Sequence, residues 1–282
     1  MISCYLVGTT GLLVKCAEIL REQGHTIEGI ISPDNDVYPF AQKNLIPIYK
    51  NIKDATAVLK NSTFDYLFSI VNPFIIPKWV LRRPRELAIN YHDSPLPKYA
   101  GVHATSWAIL NQEKIHGITW HEMVQKVDAG KILKQVTFPV HENETALSLN
   151  LRCYENAVKA FQDMLDDIER DELSGIKQNL SDRTFFALHQ KPFGGGVIDW
   201  HQDIAYIRKL ERALFFGIYK NNFTRLKIIL PGKIILYPQK IEIVSKKPGA
   251  LQSKPGTVVS INEDSLSVSC KDGVIRVQEL FI

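Results

Sequence analysis

The sequence predicts an α/β fold: a domain with a parallel-rich sheet over residues 1–190, then a small β-rich, barrel-like domain over residues 197–282. Three observations predict it. Short apolar runs alternate with helix-period segments as far as Val71, a pattern that calls for parallel strands with helices on both faces. A glycine-rich connector, Lys191-Pro192-Phe193-Gly194-Gly195-Gly196, follows a polar stretch. Beyond Trp200 the pattern changes to short strand-like runs punctuated by turn residues.

Each element follows in order. Residues 2–7 form an apolar strand that ends at Gly8-Thr9-Thr10-Gly11. Leu12, Leu13, Cys16, Ile19 and Leu20 then recur at helix spacing until Gly24. The two glycines do not make GxGxxG, so a dinucleotide fingerprint is absent and a tight strand-to-helix turn is the simpler reading than a phosphate cradle. Strands are expected at 26–31, 46–49, 66–71 and 87–90, with helices at 39–43, 54–60 and 77–82. A helix over 104–110 faces the core through Trp107 and Leu110. Two antiparallel strands, 117–123 and 132–140, flank Asp128-Ala129-Gly130. A long amphipathic helix covers 146–168, with Leu147, Leu151, Tyr154, Val158, Phe161 and Leu165 as its core stripe. In the second domain one helix (204–213) precedes strand-like runs at 227–230, 234–236, 241–244, 257–261, 265–270 and 274–280.

Composition narrows the function classes. A chain of 282 residues with 45% hydrophobic and 23% charged residues has the make-up of a globular protein with a sizeable core. The net charge of +4 suits an anionic small molecule or an acidic partner without demanding nucleic acid. Arg82, Arg83 and Arg85 are the densest basic run and read as a solvated helix end. Cys4, Cys16, Cys153 and Cys270 are scattered in apolar surroundings, without zinc spacing, which favours buried free thiols in a reducing cytoplasm. No signal peptide and no membrane-spanning apolar run is expected, and no metal: His116 and His121, five apart, make a poor ligand pair.

One stretch concentrates the chemistry: Ile89-Asn90-Tyr91-His92-Asp93-Ser94-Pro95-Leu96-Pro97. In parallel α/β sheets, ligands bind outside the carboxyl ends of strands. Residues two apart on a strand point the same way, so the Asn90 amide and the His92 imidazole can converge on one point. Two donors aimed at one point suit a tetrahedral oxyanion. Asp128, in a turn that Gly130 lets close tightly, is the best third group to orient and charge His92. Asn-x-His at a strand end also fits an ordinary capped turn, and residue chemistry alone leaves both readings open. There is no GxSxG elbow, so direct transfer is more attractive than an acyl-enzyme.

A resemblance adds to this. The segment LAINYHDSPLPKYAGVHATSWAILNQEKIHGITWHEMVQKVDAGKILKQ resembles the catalytic core of the folate-dependent formyltransferases. That family's motif is Asn-x-His-x-Ser-x-Leu-Pro, then G-(I/V/C)-T-x-H and D-x-G. This chain supplies Asn90, His92, Ser94, Leu96 and Pro97, then Gly117, Thr119 and His121, then Asp128 and Gly130. The resemblance implies a Rossmann-like formyltransferase domain and a barrel-like second domain. It also implies transfer of a formyl group from 10-formyltetrahydrofolate to a primary amine, with Asn90, His92 and Asp128 as catalytic residues. Asp128 would charge His92 and relay the amine's proton through water. The pterin would lie against Phe74, Ile75 and Ile76 and against the segment containing Val124, Val127 and Asp128. Ser94, His121 and Gly130 would support the site.

The wording HDSPLPKYAG-x-x-ATSWAI-x-N and TWH-x-M is closest to formylation domains of nonribosomal peptide synthetases. There the amine is an aminoacyl group on a carrier protein, and a larger synthetase module is the implied partner. A tRNA acceptor is less expected, since Ala100-Gly101 replaces Arg-Gly and the loop SPDNDVYPFAQKNLIP is short and not basic. Another natural-product amine, a sugar-nucleotide amine, a free amino acid and a small amine remain open as acceptors. Open too are a 10-formyltetrahydrofolate hydrolase, which needs the same three residues, and a non-catalytic folate or carrier binder.

Overall fold

A computed structural model describes residues 1–219, 221–245 and 253–281. The chain divides into two compact units: residues 1–101, 115–139 and 151–185 form the first, and residues 102–114, 140–150 and 186–282 the second. The second unit thus draws two segments, 102–114 and 140–150, from between the stretches that form the first.

The first unit is built on a seven-stranded sheet. Its strands are β1 (Ser3–Gly8), β2 (Thr26–Ile31), β3 (Ile48–Tyr49), β4 (Tyr66–Ile70) and β5 (Leu87–His92), then β7 (Ile115–Glu122) and β8 (Ile132–Pro139), after the short β6 (Ala100–Gly101). The order is β3-β2-β1-β4-β5-β7-β8. Neighbours from β3 to β5 are parallel, while β7 runs antiparallel to β5 and to β8. The parallel-rich sheet expected from the alternation is therefore present. The helices of this unit are α1 (Thr10–Glu22), α2 (Tyr38–Lys43), α3 (Thr56–Asn61) and α4 (Lys78–Leu81). All five residues of β4 are buried, as strands covered on both faces require.

The first turn brings the ends of β1 and β4 into close approach. A Cβ on Gly8 would lie 1.7 Å from the Ile70 carbonyl oxygen, so only glycine lets the ends of β1 and β4 approach this closely. At the start of α1 the Thr10 N–H donates to the Asp34 carboxylate at 2.9 Å.

Helix α6 (Ala146–Glu169) covers one face of the sheet, with its stripe in a different phase from the expected one. Leu151 is 51% exposed; the buried line is Leu149, Cys153, Ala157, Ala160, Phe161, Met164 and Leu165. Its middle is made of small side chains, which bring the helix backbone close to the sheet. The Trp120 indole N–H donates to the Ala157 carbonyl at 3.1 Å, and Phe161 meets Phe68 edge-on at 5.2 Å.

In the second unit, α5 (Ala104–Leu110) packs on α7 (Ile204–Leu214). Trp107 of α5 stacks on Phe186 at 4.5 Å and leans on Phe223 at 5.0 Å; Phe186 ends the short strand β9 (Phe185–Phe186). The Asp203 carboxylate caps α7 by accepting from the Tyr206 N–H at 2.8 Å. The sheet of this unit is antiparallel, with strands β10 (Ile228–Leu230), β11 (Ile234–Ser245), β12 (Val258–Ile261), β13 (Ser265–Cys270) and β14 (Gly273–Phe281) in the order β10-β11-β14-β13-β12. Two of the expected runs merge into β11, which continues through Pro238. The ladder with β10 ends at Leu236, so Pro238 faces no partner on that side and its missing N–H is tolerated. Among the described residues, no helix is long and apolar enough to cross a membrane.

Candidate active site

Two rows of side chains run across the sheet at the carboxyl end of β5. In the first, β-ladder register sets Ser69 beside Asn90 and Asn90 beside His121. The Ser69 hydroxyl donates to Asn90 Oδ1 at 2.7 Å, and Asn90 Nδ2 lies 3.2 Å from His121 Nε2. Nδ2 also donates to the Tyr91 carbonyl at 2.8 Å, and a carbonyl can only accept, so the amide's orientation is determined. In the second row His92 pairs in register with Thr119, and Thr119 with Gln135.

The second row shapes the proline turn. The Thr119 hydroxyl donates to the Ser94 carbonyl at 2.7 Å and accepts from the Leu96 N–H at 3.1 Å. Gln135 donates to Thr119 Oγ1 at 2.9 Å and to the Leu96 carbonyl at 2.8 Å. Ser94 donates to the Lys98 carbonyl at 2.7 Å, so its hydroxyl serves the turn. The turn returns the chain so that the Tyr99 carbonyl lies 2.8 Å from His92 Nε2.

That last contact assigns a proton. A carbonyl accepts only, so Nε2 of His92 carries hydrogen and Nδ1 is the nitrogen left for chemistry. The same logic applies to His121: its Nδ1 donates to the Glu122 carbonyl at 2.9 Å, and its Nε2 is the nitrogen turned toward Asn90 and Asp128. Both nitrogens face the Asp128 carboxylate, at 4.0 Å for His92 Nδ1 and 3.5 Å for His121 Nε2. Asp128 is 9% exposed, and its Oδ2 accepts from the Gly101 N–H at 2.8 Å. Burial alone would raise its carboxyl pKa. The nearby His92, the hydrogen bond and charge of His121 and the Gly101 N–H outweigh burial and hold it well below the ordinary carboxylate range.

Asp128 adopts φ 51°, a left-handed conformation that a non-glycine residue keeps only when its surroundings impose it. Gln178, with 6% exposure, supplies the constraint by donating to the carbonyls of Asp128 at 3.0 Å and Gly130 at 2.7 Å. A Cβ at Gly130 would lie 1.9 Å from the Glu122 carbonyl oxygen, so this turn needs glycine for space.

The structure thus brings Asn90, His92, His121 and Asp128 together, with Ser94 and Gly130 in the supporting turns. Asp128 lies closer to His121 than to His92, which the sequence reading did not anticipate. Of the expected pterin wall, Ile75 is 87% exposed, and Val124 and Val127 present part of their surfaces. Phe74 and Met123 pack against one core cluster. Ile76, in contrast, is buried in that cluster with Tyr5, Leu67 and Val80. Ser69, Gln135 and Gln178 escaped the sequence reading. Gln178 is 50 residues from Asp128 along the chain, and no local pattern marks it. His116 Nε2 goes to the Asp93 carbonyl at 2.8 Å, whereas His121 faces Asp128, so the two imidazoles serve different partners.

Comparison with known proteins places the chain. Residues 34–165 match the formyl transferase family model and residues 195–282 match that of the formyl transferase C-terminal domain. The chain belongs to the folate-dependent formyltransferase family. It is accordingly a formyl-transferring enzyme whose one-carbon donor is a formyl-tetrahydrofolate, 10-formyltetrahydrofolate in this family. The methionyl-tRNA formyltransferase of Alkaliphilus oremlandii is 28% identical over 95% of this chain and 93% of that protein. The bifunctional polymyxin resistance protein ArnA of Wigglesworthia glossinidia brevipalpis is 30% identical over 80% of this chain, which spans 34% of ArnA. Among solved structures, the N-formyltransferase from Helicobacter canadensis in complex with folinic acid and dTDP-3-aminofucose matches over the whole of both chains, with 20% identity and a TM-score of 0.72. HypX from Aquifex aeolicus in complex with tetrahydrofolic acid matches 98% of this chain and 43% of its own length, with 19% identity and a TM-score of 0.69. These structural likenesses establish the fold.

Proposed function

We propose that Asn90, His92 and Asp128 form the formyl-transfer centre, and that the acceptor is the primary amine of an aminoacyl group held on a carrier protein. The observation that supports the centre best is the buried Asp128 carboxylate facing His92 Nδ1 and His121 Nε2 beside Asn90. The amine attacks the formyl carbon and the carbonyl oxygen becomes an oxyanion. The Asn90 Nδ2 hydrogen not taken by the Tyr91 carbonyl and a protonated His92 Nδ1 donate to it, with the Asp128 carboxylate 4.0 Å from that Nδ1. Collapse breaks the bond to the folate nitrogen and leaves the formamide. The exposed apolar surfaces of Ile75, Val124 and Val127 give the pterin a wall to lie against.

The carrier-borne acceptor rests on the wording of the motif segments and on the mildly positive charge, which suits an acidic carrier. Four buried free thiols suit a reducing cytoplasm. A sugar-nucleotide amine is the second reading, favoured by the Helicobacter canadensis enzyme, which matches end to end and holds dTDP-3-aminofucose.

The test is an acceptor screen with 10-formyltetrahydrofolate, following tetrahydrofolate and formylated product by mass spectrometry. Aminoacyl carrier proteins, amino-sugar nucleotides and methionyl-tRNA are compared, with Asn90→Ala and Asp128→Ala as controls. Loss of one oxyanion donor is worth about 2.7–4 kcal/mol, so Asn90→Ala should lose roughly 10²–10³ in turnover. Formylated carrier supports the full reading and formylated sugar supports the second. Free formate without acceptor product points to a hydrolase. Undiminished transfer by Asn90→Ala removes the proposed centre.

A further inference from the structure

His92 Nδ1 faces two carboxylates. Asp128 Oδ2 lies at 4.0 Å and Asp93 Oδ1 at 3.9 Å. The two acids differ in every other respect. The Asp128 side chain is 9% exposed, takes the Gly101 N–H on one oxygen and faces His121 with the other. The Asp93 side chain is 27% exposed, and no described hydrogen bond holds its carboxylate. Its main chain is nonetheless anchored, since the Asp93 carbonyl accepts from His116 Nε2 at 2.8 Å. The motif Asn-x-His-x-Ser leaves this position open, so nothing in the family pattern requires an acid here.

An acceptor that binds as ammonium gives such a group a task. A primary amine in neutral water is mostly ammonium, yet only the free amine can attack. The balanced transfer is therefore R–NH₃⁺ plus formyl donor giving R–NH–CHO, tetrahydrofolate and one proton. The C–N bond to the acceptor forms, the C–N bond to the folate breaks, the folate nitrogen takes back one hydrogen, and one proton per turnover must reach solvent. Asp128, buried and held ionised by its neighbours, is poorly suited to carry it. His92 Nε2 is committed to the Tyr99 carbonyl, which leaves Nδ1 as the point of transfer.

We propose that Asp93 is the proton exit of the formyl-transfer centre: His92 Nδ1 passes its proton to Asp93, which delivers it to water, and the vacated Nδ1 takes the proton of the incoming ammonium, so that the free amine attacks with Nδ1 protonated again. This rests on the reading of Asn90, His92 and Asp128 as that centre. The geometry divides the work between the two acids: Asp128 fixes the charge and Asp93, on the solvent side, moves the proton.

The experiment compares Asp93→Asn and Asp93→Ala with the unaltered chain, using the acceptor that turns over fastest in the screen above. Expected is a 10- to 100-fold loss of kcat in both variants with KM for folate and acceptor within about twofold. Added imidazole buffer should restore Asp93→Ala in proportion to its concentration and leave the unaltered enzyme unchanged. A turn-shaping role alone would spare Asp93→Asn, and would not respond to buffer. Unchanged kcat, or a loss that buffer does not relieve, overturns the proposal. Asn90→Ala is run alongside: if it keeps full turnover, it is the underlying centre that has failed. If Asn90→Ala is inactive and Asp93 variants are normal, only the proton exit has.

Discussion

The Gln178 side-chain amide holds the Asp128 turn by donating to the carbonyls on both sides of Ala129, at 3.0 Å to Asp128 and 2.7 Å to Gly130. This clamp comes from a remote segment and touches only backbone, so its removal should change geometry before it changes charge. Gln178→Ala leaves two buried carbonyls without these donors, a loss of about 1–3 kcal/mol. We expect turnover to fall roughly tenfold or more, because small displacements of a reacting group are costly. Steady-state kinetics beside a thermal melt checks this; a lower Tm with normal kcat would show that the clamp serves stability alone.

The acid limb of stability should depend on Asp128. Its folded-state pKa is depressed by His92, His121 and the Gly101 N–H against the opposing effect of burial. A depressed carboxyl contributes stability that is present above its unfolded pKa and is lost as pH falls toward the folded one. Asp128→Asn lacks this contribution. The Tm gap between the unaltered chain and Asp128→Asn is therefore expected to be widest near pH 6 and to narrow below roughly pH 4, where the unfolded carboxyl protonates. A gap that stays constant from pH 6 to 3 would contradict the assignment.

Adjacent isoleucines should behave oppositely. Ile75 is 87% exposed, and Ile76 is 8% exposed inside the core. Ile76→Ala should cost about 2–5 kcal/mol and lower Tm by several degrees. Ile75→Ala should leave Tm nearly unchanged and raise KM for 10-formyltetrahydrofolate several-fold. Unchanged KM for Ile75→Ala removes it from the pterin wall.

The small residues of α6 give a further test. Ala157 is fully buried and its carbonyl accepts from Trp120, the residue before His121. Ala157→Leu overpacks that contact, at about 1–3 kcal/mol. A fall in both Tm and turnover is expected, whereas Glu155→Ala on the exposed side should leave both within error.

Much of this was legible from the residues. The strand-helix alternation specified the parallel sheet, and Asn90-x-His92 followed by Asp128-x-Gly130 marked side chains that the structure brings together. What sequence lacked was phase and reach. Helix α6 carries apolar residues on more than one face, so a period of 3.6 did not reveal that Cys153, Ala157 and Ala160 make the close contact rather than Leu151. Pro238 reads as a strand breaker unless the neighbouring ladder is known to have ended at Leu236. Ile75 and Ile76 are chemically identical, and only the turn of the backbone separates surface from core. Ser69 and Gln178 act on the site through register and a long-range hydrogen bond, neither of which has a local signature.

The partners that set the protons on His92 and His121 are the main-chain carbonyls of Tyr99 and Glu122. Every amino acid supplies that same oxygen, so neither position needs a particular side chain to keep its imidazole in the working tautomer. Substitution of the tyrosine or the glutamate therefore leaves the carbonyl that orients each imidazole in place. Specificity is free to change while the acid–base settings are carried by the peptide backbone.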